Sequence, residues 1–283
     1  AVAPGPSRSR AGGIHQTGIY IGLILGGYAG YVADEPSLGW RWAFDAAGIV
    51  GVVYAPPPFL LLKNPPRPHE LGAVSPTPLR MLGELFGNRN YQLLVLYFTL
   101  PAIAGWVIKD WMPVILKTQF NLSQGEAGKV AVLYVQIASI AGAVIGGLLA
   151  DRWMRRTQRG RIYTSALGMI LFLPALFGLG NPGTVMLAIL FLILFGIGWG
   201  FFDCNNMPIL SQITRPELRA TGYGFMNLVS ISCGGLGDWG FGVLRDRSVP
   251  LTLIFGCFTG VALLSLLVVL LIRPGETTAK SEG

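Results

Sequence analysis

Asp203 is the residue here with the most capacity for chemistry. It ends an uncharged stretch that begins at Ile162, and the next charge after it is Arg215. Helical spacing sets Trp199 four residues before it and Asn206 three after it on one face, and Asn205 adjoins them. An indole, a carboxylate and two amides in that order can bind a polar solute, or the carboxyl can carry a proton. The plain alternative is a structural aspartate paired with a neighbouring polar group. Gln136 sits in another uncharged run and is placed to reach the same cavity. Lys109 offers a contact to an anionic solute, or snorkels to an interface. His15 and Gln16 fall near a helix end, where a hydrogen-bonding role competes with a proton relay. No nucleotide-binding Gly-Lys-Ser loop, zinc-type His/Glu pair or serine-nucleophile motif occurs. Enzymatic activity, a cofactor and a metal site are therefore not expected. Cys204, Cys233 and Cys257 are irregularly spaced in apolar segments and read as buried small residues.

The elements that position these groups follow from composition. Of 283 residues 12% are charged and 52% hydrophobic, whereas a soluble domain carries about 25% charged residues. No charge interrupts 130–150 or 248–272, and 162–202 is divided only by Asn181-Pro182-Gly183. A bilayer span takes about 20 predominantly apolar residues, and inside lipid it must be a helix. The expected fold is all-α and polytopic, with eight spans near 13–33, 42–62, 91–115, 127–150, 162–180, 184–210, 220–242 and 250–272. The polar segment 63–90 is Pro-rich, and from Pro78 it reads as an amphipathic stretch at the interface. The net charge of +7 reflects scarce acids rather than abundant bases, so nucleic acid is not an expected partner; the lipid bilayer is.

If both ends share one side with the even-numbered loops, that side holds most of the 21 Lys and Arg, including Arg152, Arg155, Arg156, Arg159 and Arg161. The opposite side keeps Arg41, Lys109, Lys117, Lys129, Arg245 and Arg247. The positive-inside rule then puts both ends in the cytoplasm. Asp238 is expected to pair with Arg245 or Arg247. Two ladders of small residues recur every four positions: Gly18, Gly22, Gly26 and Gly30, and Ala138, Gly142, Gly146 and Ala150. Such faces let backbones approach closely, so helices 13–33 and 127–150 are expected to touch along Gly18/Gly22/Gly26 and Gly142/Gly146. "RAGG" at 10–13 echoes "RATG" at 219–222, a hint of parallel repeats of the kind found in transporters.

Gly147, Leu149, Ala150, Asp151, Arg152, Arg155 and Arg156 match the signature loop of the major facilitator superfamily, with Met154 where the family usually has glycine. "GWRWAF" at 39–44 resembles the entry to that family's sixth helix. The resemblance implies helices five to twelve of a twelve-helix permease. Residues 1–62 would be the last two helices of the N-terminal bundle, 63–90 the cytoplasmic central loop, 91–272 the six-helix C-terminal bundle and 273–283 a cytoplasmic tail. It also implies that Asp151 and the arginines hold a cytoplasmic gate closed, with Asp151 at the N-terminus of the first helix near Gly12 and Gly13. "RATGYGFMNLVS" is similar to sugar, sugar-phosphate or organic-anion permeases.

The expected function is secondary active transport of a small polar solute by alternating access, with a proton or sodium ion as coupling ion. The location expected is a cell membrane, of the bacterial inner type. The alternative is a transport-inactive membrane partner or sensor retaining the fold. Oligomeric state has no signature in the sequence.

Overall fold

The computed structural model describes residues 8–61 and 77–274, with the side chains of 8–17, 59 and 78 outside that description. Eleven helices and no strand occur among the described residues. They are α1 (Arg8–Gly27), α2 (Ala29–Asp34), α3 (Gly39–Tyr54), α4 (Pro56–Leu61), α5 (Pro78–Gly87), α6 (Arg89–Phe120), α7 (Gln124–Met154), α8 (Gly160–Leu179), α9 (Val185–Ile213), α10 (Pro216–Asp246) and α11 (Leu251–Leu271). Five of them, α6, α7, α8, α9 and α11, are by themselves long and apolar enough to cross a membrane. The two expected early spans are each broken. The first parts at Tyr28, after the Gly26-Gly27 pair, and the second at Ala55, where Pro56-Pro57-Pro58 cannot continue an existing hydrogen-bond ladder. α10 is as long as α7 but is diluted by Asn227, Ser230, Ser232 and Asp238.

Local signals set the helix ends. Asn88 accepts from the Asn90 and Tyr91 amides at the start of α6, while its own amide donates to the Ile213 carbonyl at the end of α9, 2.8 Å away. One side chain thus satisfies groups at two helix termini. Ser123 caps α7 and Thr184 caps α9. α6 ends at Phe120, five residues beyond the expected limit of its span, and is capped by Asn121 in the left-handed conformation (φ 53°). α5 is helical as its amphipathic pattern predicts. It buries Leu85 against the bundle and pairs Glu84 with Arg215 at 2.6 Å. The residues 62–76 that precede it lie outside the described part.

α6 to α11 pack as one bundle in which α9 lies against α7 and α8, while α10 and α11 flank α6. Its centre is aromatic: Phe172, Phe195 and Phe202 are fully buried, and Phe172 and Phe195 meet edge to face at 4.9 Å. The α7–α9 contact is backbone on backbone. A Cβ on Gly196 would sit 2.5 Å from the Val135 carbonyl oxygen, and one on Gly200 would overlap the backbone of Ser139 and Ala143. α1 and α2 lean on α7, whereas α3 packs on α2 and α4 and buries no residue.

The expected contact between the two small-residue ladders is corrected here. Gly142 and Gly146 meet Ile197 and Phe201 of α9, not α1. Gly18, Gly22 and Gly26 have nothing within 4 Å of where a Cβ would stand. α1 and α2 do touch α7, but one end only: Gly27 and Gly30 lie on Gly128 and Gln124, with a would-be Cβ on Gly30 2.6 Å from the Gln124 carbonyl oxygen. Spacing of four fixes which face of a helix is smooth, and it does not fix which neighbour uses that face. Beyond the Gly27–Gly30 contact, toward the end of α7 that bears Arg152, the α1 glycines face open space rather than α7.

The expected Asp238 pairing is also overturned. Arg245 donates to the Val249 carbonyl instead, and Asp238 faces Asp110 of α6. The Val249 carbonyl lies in the connection to α11, so the Arg245 guanidinium is turned away from Asp238, and no ion pair from Arg245 or Arg247 to Asp238 occurs among the described residues.

The packing yields a test. Gly200→Ala forces two backbones apart and should lower the thermal midpoint of the detergent-solubilised protein by several degrees, since overpacking costs about 1–3 kcal/mol. Gly147→Ala, which meets nothing within 4 Å, should leave it unchanged. Equal midpoints for the two variants would refute the α7–α9 contact as a fixed element.

Candidate functional site

Asp203 lies ten residues from the end of α9, and Trp199 one turn before it. Both face a cavity of about 130 Å³ between α6, α9 and α10, lined also by Trp106, Lys109, Tyr223, Asn227 and Ser230. The Lys109 ammonium lies 4.4 Å from the Trp199 ring centre and 5.0 Å from that of Trp106. That is cation–π distance on two sides. The snorkelling alternative for Lys109 is thus set aside: its charge turns into the bundle. Gly105 makes room for this arrangement, because a side chain there would overlap the Trp199 ring.

A second, larger cavity of about 550 Å³ opens on the other side of Lys109. Its walls are α6, α7 and the glycine face of α1 with the start of α2, with Gly22, Gly26 and, from α2, Gly30 contributing backbone and Gln136 a buried amide. Trp106 and Lys109 line both spaces. Small-molecule sites usually enclose about 300–1,000 Å³; the first cavity alone is too small for one, and the second is not. The α1 ladder therefore supplies volume where it was expected to supply contact.

α1 also reaches across to α9. The buried Tyr20 hydroxyl donates to an Asp203 carboxylate oxygen at 3.2 Å. Lys109 and Asp203 stand opposite one another without closing to a direct pair; the single ion pair among the described residues is Arg215–Glu84. Two opposite charges, a tyrosine hydroxyl, two indoles and the polar groups of α10 thus converge on one place. The arrangement can bind a polar or charged solute, and it can exchange a proton at a carboxylate whose counter-charge is a short distance away.

The other residues marked by sequence are placed as follows. Asn205 and Asn206 are buried in the bundle and line neither cavity. Asn205 donates back to the Phe201 carbonyl at 3.0 Å, and the Asn206 amide has no hydrogen-bond partner among the described residues. Shared helical face does not guarantee shared cavity, because the helices have closed round α9 at that depth. His15 and Gln16 lie on α1, where side chains are outside the described part. Asp151, Arg152, Arg155 and Arg156 are exposed at the end of α7, and Gly147 faces open space. The sequence did not mark Tyr20, Trp106, Tyr223, Asn227 or Ser230. An aromatic or hydroxyl group in an apolar helix carries no periodic signal of its own, and only the packing brings these five together. Nor did it mark the work of the neighbouring arginines: Arg159 donates to the Leu270 carbonyl at the end of α11, and Arg161 to the Pro208 carbonyl.

Similar proteins share this architecture. An "MFS-type efflux pump" of Mycolicibacterium smegmatis is 28% identical over 224 residues, 79% of this chain and 51% of that protein. A "Probable L-galactonate transporter" of Escherichia coli is 27% identical over 252 residues, 81% of this chain and 54% of that protein. "Protein spinster" of Drosophila melanogaster is 24% identical, over 37% of its own length. The chain thus spans about half the length, or less, of these relatives. Among solved structures, a bacterial homolog of the human lysosomal transporter Spinster, in an inward-facing and occupied conformation, superposes with a TM-score of 0.64. It covers 95% of this chain and 68% of that one at 17% identity, a likeness of fold. The family model of the Major Facilitator Superfamily matches residues 1–237, through the glycine-lined α1, the Asp151 signature loop and the α9 helix that carries Asp203. With its apolar helices and these matches, the chain is an integral membrane protein of the major facilitator superfamily.

Proposed function

We propose that this chain is part of a secondary active transporter that moves a small polar solute with an anionic group by alternating access. The observation that carries the reading is Lys109, a cation held between two indoles at the junction of two cavities and opposite Asp203. An ionisable residue at membrane depth is expensive and faces a cavity or partner when retained. Two of them on one cavity, with room between, form a site where an anion can insert. In the major facilitator arrangement, α1 to α4 are the last two helices of one bundle and 91–272 the six of the other. The larger cavity then falls between the bundles, where alternating access needs it. The excess of arginine in one set of loops supports a topology with both ends in the cytoplasm, and the bacterial relatives support a bacterial inner membrane.

The solute is a sugar acid, sugar phosphate or other organic anion. Relatives whose names specify L-galactonate, citrate and 3-(3-hydroxy-phenyl)propionate support that class. Charge balance supplies the coupling. Without solute, Lys109 and Asp203 offset one another across the cavity. An arriving anionic group takes the Lys109 ammonium as its partner, and Asp203 then shares that cation with the solute. A proton taken up by the carboxylate restores neutrality, and anion and proton leave together on the other side. Tyr20, already hydrogen-bonded to Asp203, links that event to the position of α1.

Uptake into proteoliposomes of the full-length protein, with galactonate, citrate and 3-(3-hydroxyphenyl)propionate as solutes, tests this reading. Asp203→Asn should abolish accumulation driven by a proton gradient while sparing solute exchange, because the amide mimics the protonated acid. Lys109→Gln should lose both activities by about tenfold or more, as expected for a charge-assisted contact. Undiminished accumulation in both variants would remove the pair from the mechanism. Accumulation that follows a sodium gradient would replace the proton.

A further inference from the structure

The contact that joins α2 to α7 is built on a carboxylate. Asp34, the last residue of α2, accepts from the backbone N–H of Gly125 at 2.7 Å and of Gln124 at 3.2 Å. Those are first-turn groups of a 31-residue helix, which have no partner inside the helix, at the positive end of its dipole. Ser123, the helix's own cap, takes the Glu126 N–H and leaves these two to Asp34. Beside the carboxylate, the Tyr31 ring lies flat on Gly125, where a Cβ would overlap it, and the Lys129 ammonium sits 5.7 Å from the ring centre. Gly27 and Gly30 meet Gly128 and Gln124 alongside.

The close backbone approach is confined to one end, since a Cβ on Gly18, Gly22 or Gly26 would meet nothing within 4 Å. It also buries little: Tyr31 and Asp34 themselves remain exposed. It has the form of a clasp that can part without unpacking a core.

Its sequence has a counterpart. Gly30-Tyr31-Val32-Ala33-Asp34 closes α2, and Gly147-Leu148-Leu149-Ala150-Asp151 lies within the last turns of α7. α1 with α2 runs antiparallel to α7, so each Gly-x-x-Ala-Asp points toward the N-terminus of the other arm. One aspartate is engaged, and the other is exposed at the far end of α7.

We propose that Asp34 is a latch that holds the two halves together at their arginine-poor end while the arginine-rich end is open, the reciprocal of the Asp151 contact. This inference rests on the alternating-access reading. When the arginine-rich end closes, Asp34 releases the Gln124 and Gly125 amides and the α2–α7 clasp opens.

The carboxylate must be ionised to act. The Gly125 N–H holds its pKa below the ordinary value, opposed by desolvation and aided by the Gln124 N–H, Ser123 and Lys117. Lys117 of α6, Glu126 and Lys129 of α7 and the adjoining Glu35 are the charged groups about it. A latched pKa lower than the released one means that the latch is at full strength above the ordinary carboxylate range and is lost as pH falls through the lowered value. It therefore stays set at neutral pH and is independent of proton uptake at Asp203.

Distances between spin labels test this directly. Labels go on Ser37→Cys and Asn181→Cys, both exposed at the arginine-poor end, in full-length protein whose Cys204, Cys233 and Cys257 are replaced by serine. Asp34→Ala should raise the ratio of separated to closed populations about two- to fivefold, the range for an exposed charge at a helix N-terminus. Asp34→Asn, which keeps one acceptor without the charge, should fall between Asp34→Ala and the parent. Ser123→Ala, which removes a cap of the same helix and a hydroxyl beside Asp34 but leaves the Gln124 and Gly125 amides on the carboxylate, should raise the ratio less than Asp34→Ala. Parent-like distances in both Asp34 variants would overturn the latch, and so would a Ser123→Ala shift equal to that of Asp34→Ala, since fraying of α7 would then explain the effect. No solute enters the measurement, so a protein that moved none of the tested anions would still report on Asp34.

Discussion

Backbone contact between α7 and α9 is the constraint on which the rest of the molecule depends. Gly142, Gly196 and Gly200 bring the two main chains closer than any side chain would allow. With one face of α9 so fixed, Trp199 and Asp203 point into the space between α6 and α10. Lipid gives helices no hydrophobic reason to associate, so close packing at small residues does for this bundle what a hydrophobic core does in water. The same device recurs at the α2–α7 contact on a smaller scale, over four residues rather than along whole helices. The difference in extent divides a permanent joint from one that can open.

A glycine face has a second use when no helix comes up to it. Gly22 and Gly26 on α1 border the larger cavity and give it room that any side chain would fill. α1 thereby presents a glycine-lined wall to the larger cavity and sends the Tyr20 hydroxyl to Asp203. Motion of α1 against the bundle would alter the hydrogen bonding of that carboxylate before any other charged group in the site.

Much of this was legible in the residues, for physical reasons that differ from case to case. Uncharged runs reveal spans because lipid excludes charge, and Asp203 stood out for the same reason. The amphipathic stretch from Pro78 was legible because its pattern is local, and it forms α5. The partner of each glycine ladder was not legible, since smoothness is common to a packed face and an empty one. Lys109 was ambiguous because its four-carbon stem reaches either the interface or the cavity, and the choice falls to Trp106 and Trp199, far apart in sequence. Asp34 was not marked by the sequence at all, because its partners are backbone amides of α7, which carry no residue signature. Asn205 and Asn206 show the converse: the right face of the right helix, enclosed at the wrong depth.

Asp203 and Lys109 are each interpretable alone, as a structural acid and a cavity cation. The central claim is that they form one site, each answering for the other's charge. A double-mutant cycle on solute affinity decides this, with Lys109→Met, Asp203→Asn and the double variant read by quenching of the indole fluorescence of Trp106 and Trp199. Residues of one charge network interact by about 0.5–3 kcal/mol beyond the sum of the single changes. Coupling in that range, with the double variant less impaired than the sum predicts, is the expected result. Additivity within about 0.3 kcal/mol would show two independent groups and contradict a shared anion and proton site.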